Sequence, residues 1–568
     1  MKMRAGVFLA AAVFFYACSG STSLKAGRSQ ADNHQESTRP ELLSAEGQRE
    51  LHQIVDSSKL ADLQWPNFSD QALAVKEFYE EDGYRLGWSY KGKPTPQALQ
   101  SIDLLENADG KGLDSKDYDG LRWPERLKVW EGADAAETDL VKFDVALTVS
   151  AIRYGTDLHL GKVDPRTLHK DFDPEREKHN AGTFLWKYVV NAKNVSEVLT
   201  PIEPPYPGYK RTLVALQKYL QLAKQEVADP LPQVAKPVMP GGQYPALDKL
   251  VHRLQFLGDL PASASVPTAY SGEVVDGVKN FQSRHGLEAA GKLGPQTIAE
   301  LNVSLNDRVE SLRLTLERWR WVPHEFAQAP IIVNIPEFVL RTFNKPGEPT
   351  LTMPVVVGRA MRNQTPVMEE SMKYLIFWPY WNVPPSILRG EIIPKIAKDP
   401  GYVQKNNFEV ATYSGQVVTD GVVSEEVLSQ LRAGKLMVRQ KPGPKNALGL
   451  IKFIFPNDQN IYLHSTPAQA LFGETRRDFS HGCIRVGDPK ALAEWVLRNN
   501  PGWTRDRVEA AFKAQQEQQV NLVNEIPVLI VYGTAIVKDD GRAYFFDDLY
   551  GYDKALGKLY VQAYSSKS

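Results

Sequence analysis

The chain has 568 residues, 42% hydrophobic, 10% aromatic and 24% charged. That is a globular composition, too long for one core and sized for about three or four domains. Its 67 lysines and arginines stand against 68 acidic residues, for a formal charge of −1, so no basic surplus exists to neutralise a phosphate backbone and nucleic acid is set aside as a partner.

At the N-terminus Lys2 and Arg4 precede an apolar run from Ala5 to Ala17, then Cys18 and a Ser, Gly and Thr stretch. This reads as an export signal over residues 1–18, shorter than the roughly 20 residues that span a bilayer. Phe15-Tyr16-Ala17-Cys18 resembles a bacterial lipoprotein cleavage box, with Phe15 where Leu is usual. The resemblance implies lipidation of Cys18 and an exported protein anchored in the periplasm at the outer membrane; simple secretion or an uncleaved anchor are the alternatives. With Cys18 lipidated, Cys483 is the one free thiol, because the chain has two cysteines. Exported proteins that use cysteine for stability carry pairs, so an unpaired one points to reactivity.

Residues 19–45 are rich in Ser, Gln, Asp, Asn and Glu and read as a flexible tether. From 46 to 229 the pattern predicts a helical scaffold domain with Trp65, Trp88, Trp123 and Trp186 in its core. It shows no chemistry. A stiff linker follows over 230–242, with prolines from Pro230 to Pro240 and then Gly241-Gly242. Leu247, Leu250, Val251, Leu254 and Leu257 then recur at helical spacing until Gly258. Val274, Val275, Val278 and Phe281 mark a second helix ended by Gly286, and Pro295 opens a third with Ile298 and Leu301 inward. The run Asp276-Gly277-Val278-Lys279-Asn280-Phe281-Gln282-Ser283-Arg284-His285-Gly286-Leu287, with Gly294-Pro295-Gln296-Thr297 and Leu301-Asn302, closely resembles a peptidoglycan-binding domain over 243–304. Glycan binding is what that resemblance implies; the spacing itself shows only a core.

After a connecting helix over 305–328, strand-like runs begin at Ile331, Phe338 and Met353, as expected of a mainly-β domain over 329–535. Helical patterns interrupt it between about 385 and 448, with Ser386 and Ser424 as N-caps and Gly434 as a stop, which predicts a helical capping insertion. Phe377-Trp378-Pro379-Tyr380-Trp381 leads into the insertion, and Trp378 serves either as a wall of a substrate groove or as core. Ile461-Tyr462-Leu463-His464 closes a hairpin across Pro456-Asn457-Asp458-Gln459-Asn460. After fifteen intervening residues comes Ser480-His481-Gly482-Cys483-Ile484-Arg485. A C-terminal segment over 536–568 contains Phe546-Asp547-Asp548-Leu549-Tyr550-Gly551, whose acidic pair reads as a turn cap.

A cysteine able to meet histidines in the fold is the layout of a thiol nucleophile and its base. Zinc would want more cysteine ligands, so no metal or cofactor is expected. The array His464, Ser480-His481-Gly482-Cys483 resembles the signature of YkuD-type L,D-transpeptidases, and the whole layout resembles their large YcbB-like branch, with Arg485 where many relatives carry Asn. The resemblance implies a multidomain α+β enzyme acting on peptidoglycan stem peptides and glycan. Cys483 attacks the carbonyl of the third stem residue, terminal D-alanine leaves, and a side-chain amine of a neighbouring stem resolves the thioester into a 3→3 cross-link. Carbapenem rings open by the same attack. His464 is the base, oriented through a carbonyl near Ser465; Gly482 shapes an oxyanion site; His481 either shapes the site or moves a proton. Arg485 grips a substrate carboxylate or pairs with an acidic side chain, and Tyr462, Ser465 and Ser480 complete the substrate site. Hydrolysis by the same thioester, attachment of a lipoprotein to the wall, and a non-catalytic wall scaffold are the rival functions.

The chemistry sets magnitudes. A thiol with pKa near 8.5 is about 3% ionised at pH 7, and lowering it by about two units would raise the thiolate to about 75%. Nucleophilicity would then fall about eightfold, so the net gain is only a few-fold. Orientation and oxyanion stabilisation contribute more to the rate, about 3 kcal/mol for a single backbone donor.

Overall fold

The computed structural model describes residues 42–131, 135–169, 172, 180–345 and 348–565. The export signal, Cys18 and the tether up to residue 41 lie outside them. Among the described residues no helix is long and apolar enough to cross a membrane.

The first half is helical. The helix Glu137–Leu160 runs through its centre and buries residues on every side. Its Asp144, fully buried, accepts from the Trp88 N–H at 2.8 Å and the Tyr79 hydroxyl at 2.8 Å, and burial lifts its carboxyl to about 7. Trp88 and Trp123 are fully buried as predicted, whereas Trp65 and Trp186 are half-buried at the edge of this core. Next, the helices Leu247–Leu257, Glu273–Arg284 and Pro295–Leu301 enclose a core of Leu250, Leu254, Val278, Phe281, Ile298 and Leu301. These are the residues that helical periodicity put on one face. Gly258 and Gly286 take φ of 77° and 62° at the helix ends, a backbone region glycine enters without strain.

The strands that follow are β1 (Ile331–Asn334), β2 (Val339–Lys345), β3 (Glu348–Gly358), β4 (Met368–Phe377), β5 (Trp381–Asn382), β6 (Phe408–Ala411), β7 (Val417–Thr419), β8 (Met437–Gln440), β9 (Ile451–Ile454), β10 (Leu463–His464), β11 (Asp478–Ser480), β12 (Ile484–Val486) and β13 (Gln518–Val531). One nine-stranded sheet has the order β11-β3-β12-β10-β9-β4-β13-β1-β2, and a further pairing of β2 with β3 curls it into a barrel-like form. Val355, Val357, Leu375, Phe377, Phe453, Leu463, Ile484 and Val528 fill its core. The fold is therefore multidomain α+β, as expected.

The insertion carries the expected helices, including Ile393–Lys398 and Glu425–Arg432, but also a four-stranded sheet in the order β5-β8-β6-β7. Strands of two to four residues are too short to show a period-2 pattern, which is why helical signals dominate the sequence there. Ser424 accepts the Val427 N–H at 3.3 Å as an N-cap, and Gly434, at φ 69°, follows the same helix. Ser386 does not cap: it lies inside the helix Pro385–Ile387, whose N-cap position is Pro384.

A final hairpin, β14 (Ala535–Val537) and β15 (Ala543–Phe545), packs on the helices Pro207–Gln225 and Leu305–Trp321. It also grips the three-helix module. Asp259, buried in the module, accepts from Arg284 Nε at 2.8 Å and from Arg542 at 2.6 Å, while Arg284 donates to the Ala543 carbonyl at 2.7 Å.

Candidate active site

The parallel pair β10 and β12 aligns Leu463 with Ile484 and His464 with Arg485. The Ile484 N–H donates to the Tyr462 carbonyl at 3.1 Å and fixes the register. Because side chains alternate along a strand, Leu463 and Ile484 enter the core while Tyr462, His464, Cys483 and Arg485 share the opposite face. Residues about twenty apart in sequence thus become neighbours.

The turn before Cys483 is held from several sides. Ser480 Oγ donates to the Cys483 carbonyl at 2.5 Å and accepts the Gly482 N–H at 3.2 Å. Gly482 has φ of 115°, which a side chain would strain, and a Cβ there would stand 3.2 Å from Ile461 Cδ1. Thr365 Oγ1 donates to the Gly482 carbonyl at 2.7 Å and accepts the Gly358 N–H at 2.9 Å. The Tyr550 hydroxyl donates to the Gly358 carbonyl at 2.6 Å and accepts the Thr365 N–H at 3.2 Å. The Gly482 N–H is therefore engaged within the turn, whereas no protein acceptor among the described residues takes the Cys483 N–H.

Cys483 is a free, half-exposed thiol, its sulfur 3.6 Å from the Asn460 carbonyl. Burial pushes its pKa up; the Tyr462 backbone and phenol and the Arg485 charge favour the thiolate without reversing that. The resting sulfur is a protonated thiol, so a two-unit lowering of its pKa is not what this site does. His464 is 5% exposed, and its Nδ1 lies 2.6 Å from the Ser465 carbonyl. A carbonyl only accepts, so Nδ1 carries the proton and Nε2 keeps its lone pair. Burial, then the nearby Arg485 charge, depress this imidazole to about 3, so it is neutral at pH 7. No hydrogen bond joins His464 to Cys483 among the described residues; Tyr462 lies against both, its ring centroid 5.8 Å from that of His464 and its phenol on the sulfur.

Other predicted residues divide. Ser480 and Ser465 are 2% and 4% exposed. Their hydroxyls hold backbone, Ser465 Oγ accepting the Leu450 N–H at 2.7 Å and donating to the Leu448 carbonyl at 3.3 Å, so they shape the site from beneath and do not face a substrate. Trp378 is core: it is buried and its indole N–H donates to the Ala511 and Phe512 carbonyls, both at 3.1 Å. Arg485 forms no ion pair among the described residues, its Nε is buried without a partner, and the nearby charge it feels is that of Arg359. His481 Nε2 lies 2.7 Å from Glu391 of the insertion, bringing the cap onto the loop that bears Cys483.

Thr365, Tyr550, Glu391 and Arg359 escape a reading of the sequence alone. Thr365 stands 117 residues from the Gly482 carbonyl it holds, and no local pattern signals that. The segment Phe546–Gly551 does carry a signal, and its Asp548 caps the last helix by accepting the Asp553 and Lys554 N–H groups, both at 3.1 Å.

Residues 328–509 match the family model YkuD, "L,D-transpeptidase catalytic domain". Residues 73–216 match "Scaffold domain", and 243–301 match "Putative peptidoglycan binding domain". A curated protein of Haemophilus influenzae named "Putative L,D-transpeptidase" is 31% identical over 275 residues, 48% of this chain and 54% of that protein. The chain thus spans about half the length of that relative. The crystal structure of an L,D-transpeptidase from Xylanimonas cellulosilytica, 13% identical, covers 53% of this chain and 100% of that one with a TM-score of 0.17, too low for the overlap to carry a structural argument.

Proposed function

We propose that this chain, which carries a YkuD-type L,D-transpeptidase catalytic domain over residues 328–509 behind a scaffold and a peptidoglycan-binding domain, forms 3→3 cross-links by acyl transfer through Cys483. The observation that carries the reading is the shared face of Tyr462, His464, Cys483 and Arg485 across the β10–β12 pair.

Both reacting groups start neutral, so the thiolate forms on demand. Cys483 gives its proton to His464 Nε2 as the sulfur attacks the carbonyl of the third stem residue. Holding the two groups apart as neutral species keeps the sulfur basic and strongly nucleophilic, at the cost of a low standing thiolate population. The negative charge that develops on the carbonyl oxygen meets the free Cys483 N–H and the Tyr462 phenol. The tetrahedral species collapses, the C–N bond to terminal D-alanine breaks, and the imidazolium protonates the leaving amine. In the second half the acceptor amine attacks the thioester, His464 takes its proton, and the thiol is restored. Arg485, with no carboxylate of its own, offers its planar fork to a substrate carboxylate. His481, held by Glu391, shapes the loop. Acting on the wall, the protein works outside the cytoplasm, and a lipid on Cys18 would anchor it to a membrane.

Purified protein mixed with a disaccharide tetrapeptide should yield cross-linked dimer, tripeptide and a mass increase on Cys483, and Cys483→Ala should yield none of these. Tripeptide without dimer would replace transfer by hydrolysis. Unmodified Cys483 in folded protein would sink both and leave a wall-binding scaffold.

A further inference from the structure

The capping insertion leaves the sheet after β4 and returns to it at β9, and its two stems meet on one side chain. Asn446 is fully buried. Its amide donates to the Pro379 carbonyl of the outgoing stem at 3.0 Å and to the Lys441 and Gln440 carbonyls of the returning stem at 3.1 and 3.3 Å, while its Oδ1 accepts the Leu448 N–H at 2.8 Å. The Trp378 N–H adds a bond between the stems, to the Leu450 carbonyl at 2.8 Å. An apolar side chain at 446 would take away the partners of the Pro379 carbonyl and the Leu448 N–H, so the position needs a group that both donates and accepts.

The closed stems are joined in turn to His464. Ser465 Oγ donates to the Leu448 carbonyl at 3.3 Å and accepts the Leu450 N–H at 2.7 Å, and a Cβ on Gly449 between them would overlap that oxygen. The Ser465 carbonyl accepts from His464 Nδ1 at 2.6 Å, and the Leu448 carbonyl of the returning stem also acts on the imidazole, both favouring its protonated form. No hydrogen bond to Cys483 aims the ring among the described residues, so its supports do. On its other side the insertion reaches the loop that bears Cys483, through Glu391 on His481.

We propose that Asn446 is a positioning residue for the acyl transfer: by closing the stems of the insertion it seats the turn Leu448 to Leu450 against Ser465 and so sets where His464 stands. This rests on the reading of His464 as the base. The insertion is then part of the mounting of the base as well as a cap, and Asn446 acts on the reaction without touching substrate.

The test is a double-mutant cycle on full-length protein. Acylation of Cys483 by a disaccharide tetrapeptide is followed by intact mass, and alkylation of the same thiol by iodoacetamide is the control that needs no positioned base. Asn446→Ala should slow acylation at saturating donor by about tenfold or more, since a misplacement of about 1 Å costs up to about 100-fold, with donor KM and alkylation held within about twofold. In His464→Gln, where no base is left to misplace, the same substitution should cost less than about threefold, and in Glu391→Ala about tenfold again. Ser465→Ala cuts the joint while the stems stay closed and should repeat the pattern, which keeps the test decisive if Asn446→Ala does not fold. A full loss in the His464→Gln background, alkylation that falls in step with acylation, or unchanged acylation in both variants overturns the assignment. Those outcomes remove only the role of Asn446. A parent that the tetrapeptide never acylates removes the transfer reading, and a parent rate kept by His464→Gln removes the base; either takes the inference with it.

Discussion

Replacing Thr365 by Val keeps the shape of a fully buried side chain and deletes the one hydroxyl that joins Gly358 to Gly482. Two buried backbone groups then lose their partner, the Gly358 N–H at 2.9 Å and the Gly482 carbonyl at 2.7 Å. At about 1–3 kcal/mol for each unmet group, and with some relaxation of the turn, the expected cost is about 2–4 kcal/mol. The neighbouring amides report it. Val357 donates to the Arg477 carbonyl at 2.9 Å and Arg359 to the Ser480 carbonyl at 3.1 Å. Their protection against hydrogen exchange should fall by about 30- to 1,000-fold. Acylation of Cys483 by meropenem should slow by about tenfold or more, because displacing a reacting atom by about 1 Å costs up to 100-fold. Thr365→Ser, which keeps the hydroxyl, should recover both. Unchanged protection and an unchanged acylation rate in Thr365→Val would refute the reasoning that this hydroxyl holds the nucleophile turn.

His464, depressed to about 3 in the fold, should leave no acid limb near pH 6.5 in the acylation rate by the tetrapeptide; the rate should stay level across neutral pH and change only as the raised thiol pKa is approached, and a limb centred near 6.5 would contradict this. The same shift has a stability consequence. The unfolded chain takes up the proton first, near pH 6.5, so the stability due to a neutral His464 is complete above that value and is lost as pH falls toward about 3, as acid denaturation of parent and His464→Gln should show. Asp259→Ala strands the buried Arg284 inside the three-helix module and removes the Arg542 contact at its edge, so it should destabilise the module by about 3–5 kcal/mol, seen as at least about tenfold faster trypsin cleavage within residues 243–304; an unchanged rate would mean the cluster does not stabilise the module. Glu391→Ala removes the cap's contact with His481 and should raise hydrogen exchange across Leu388–Lys398, with the helix Glu137–Leu160 unaffected as the internal control.

Local order makes parts of this protein legible in advance. The three-helix module follows from Leu250, Leu254, Val278 and Phe281 at helical spacing with Gly258, Gly286 and Pro295 at its breaks, since an amphipathic helix needs only near neighbours to declare itself. The hairpin into His464 follows from Asn457, whose side chain bonds the Phe455 and Ile461 carbonyls at 2.7 and 2.8 Å across the turn. The likeness of Ser480-His481-Gly482-Cys483 to a known signature singles out Cys483 as the candidate nucleophile. The insertion's sheet stays hidden because its strands are short and pair at long separation, as Arg439 of β8 does with Asn382 and Glu409.

Residue types, spacing and a family resemblance thus pointed to Cys483 and His464 as candidates and to the helices of the three-helix module, because those depend on chemistry and on contacts within a few turns of chain. Only the folded sheet decided that β10 and β12 run parallel with His464 beside Arg485, that burial raises the Cys483 thiol and depresses His464, that Trp378 and Ser465 face inward, and that Glu391 meets His481. Solvent exclusion and charge proximity are properties of groups far apart in sequence, and they come into being only when the chain closes on itself.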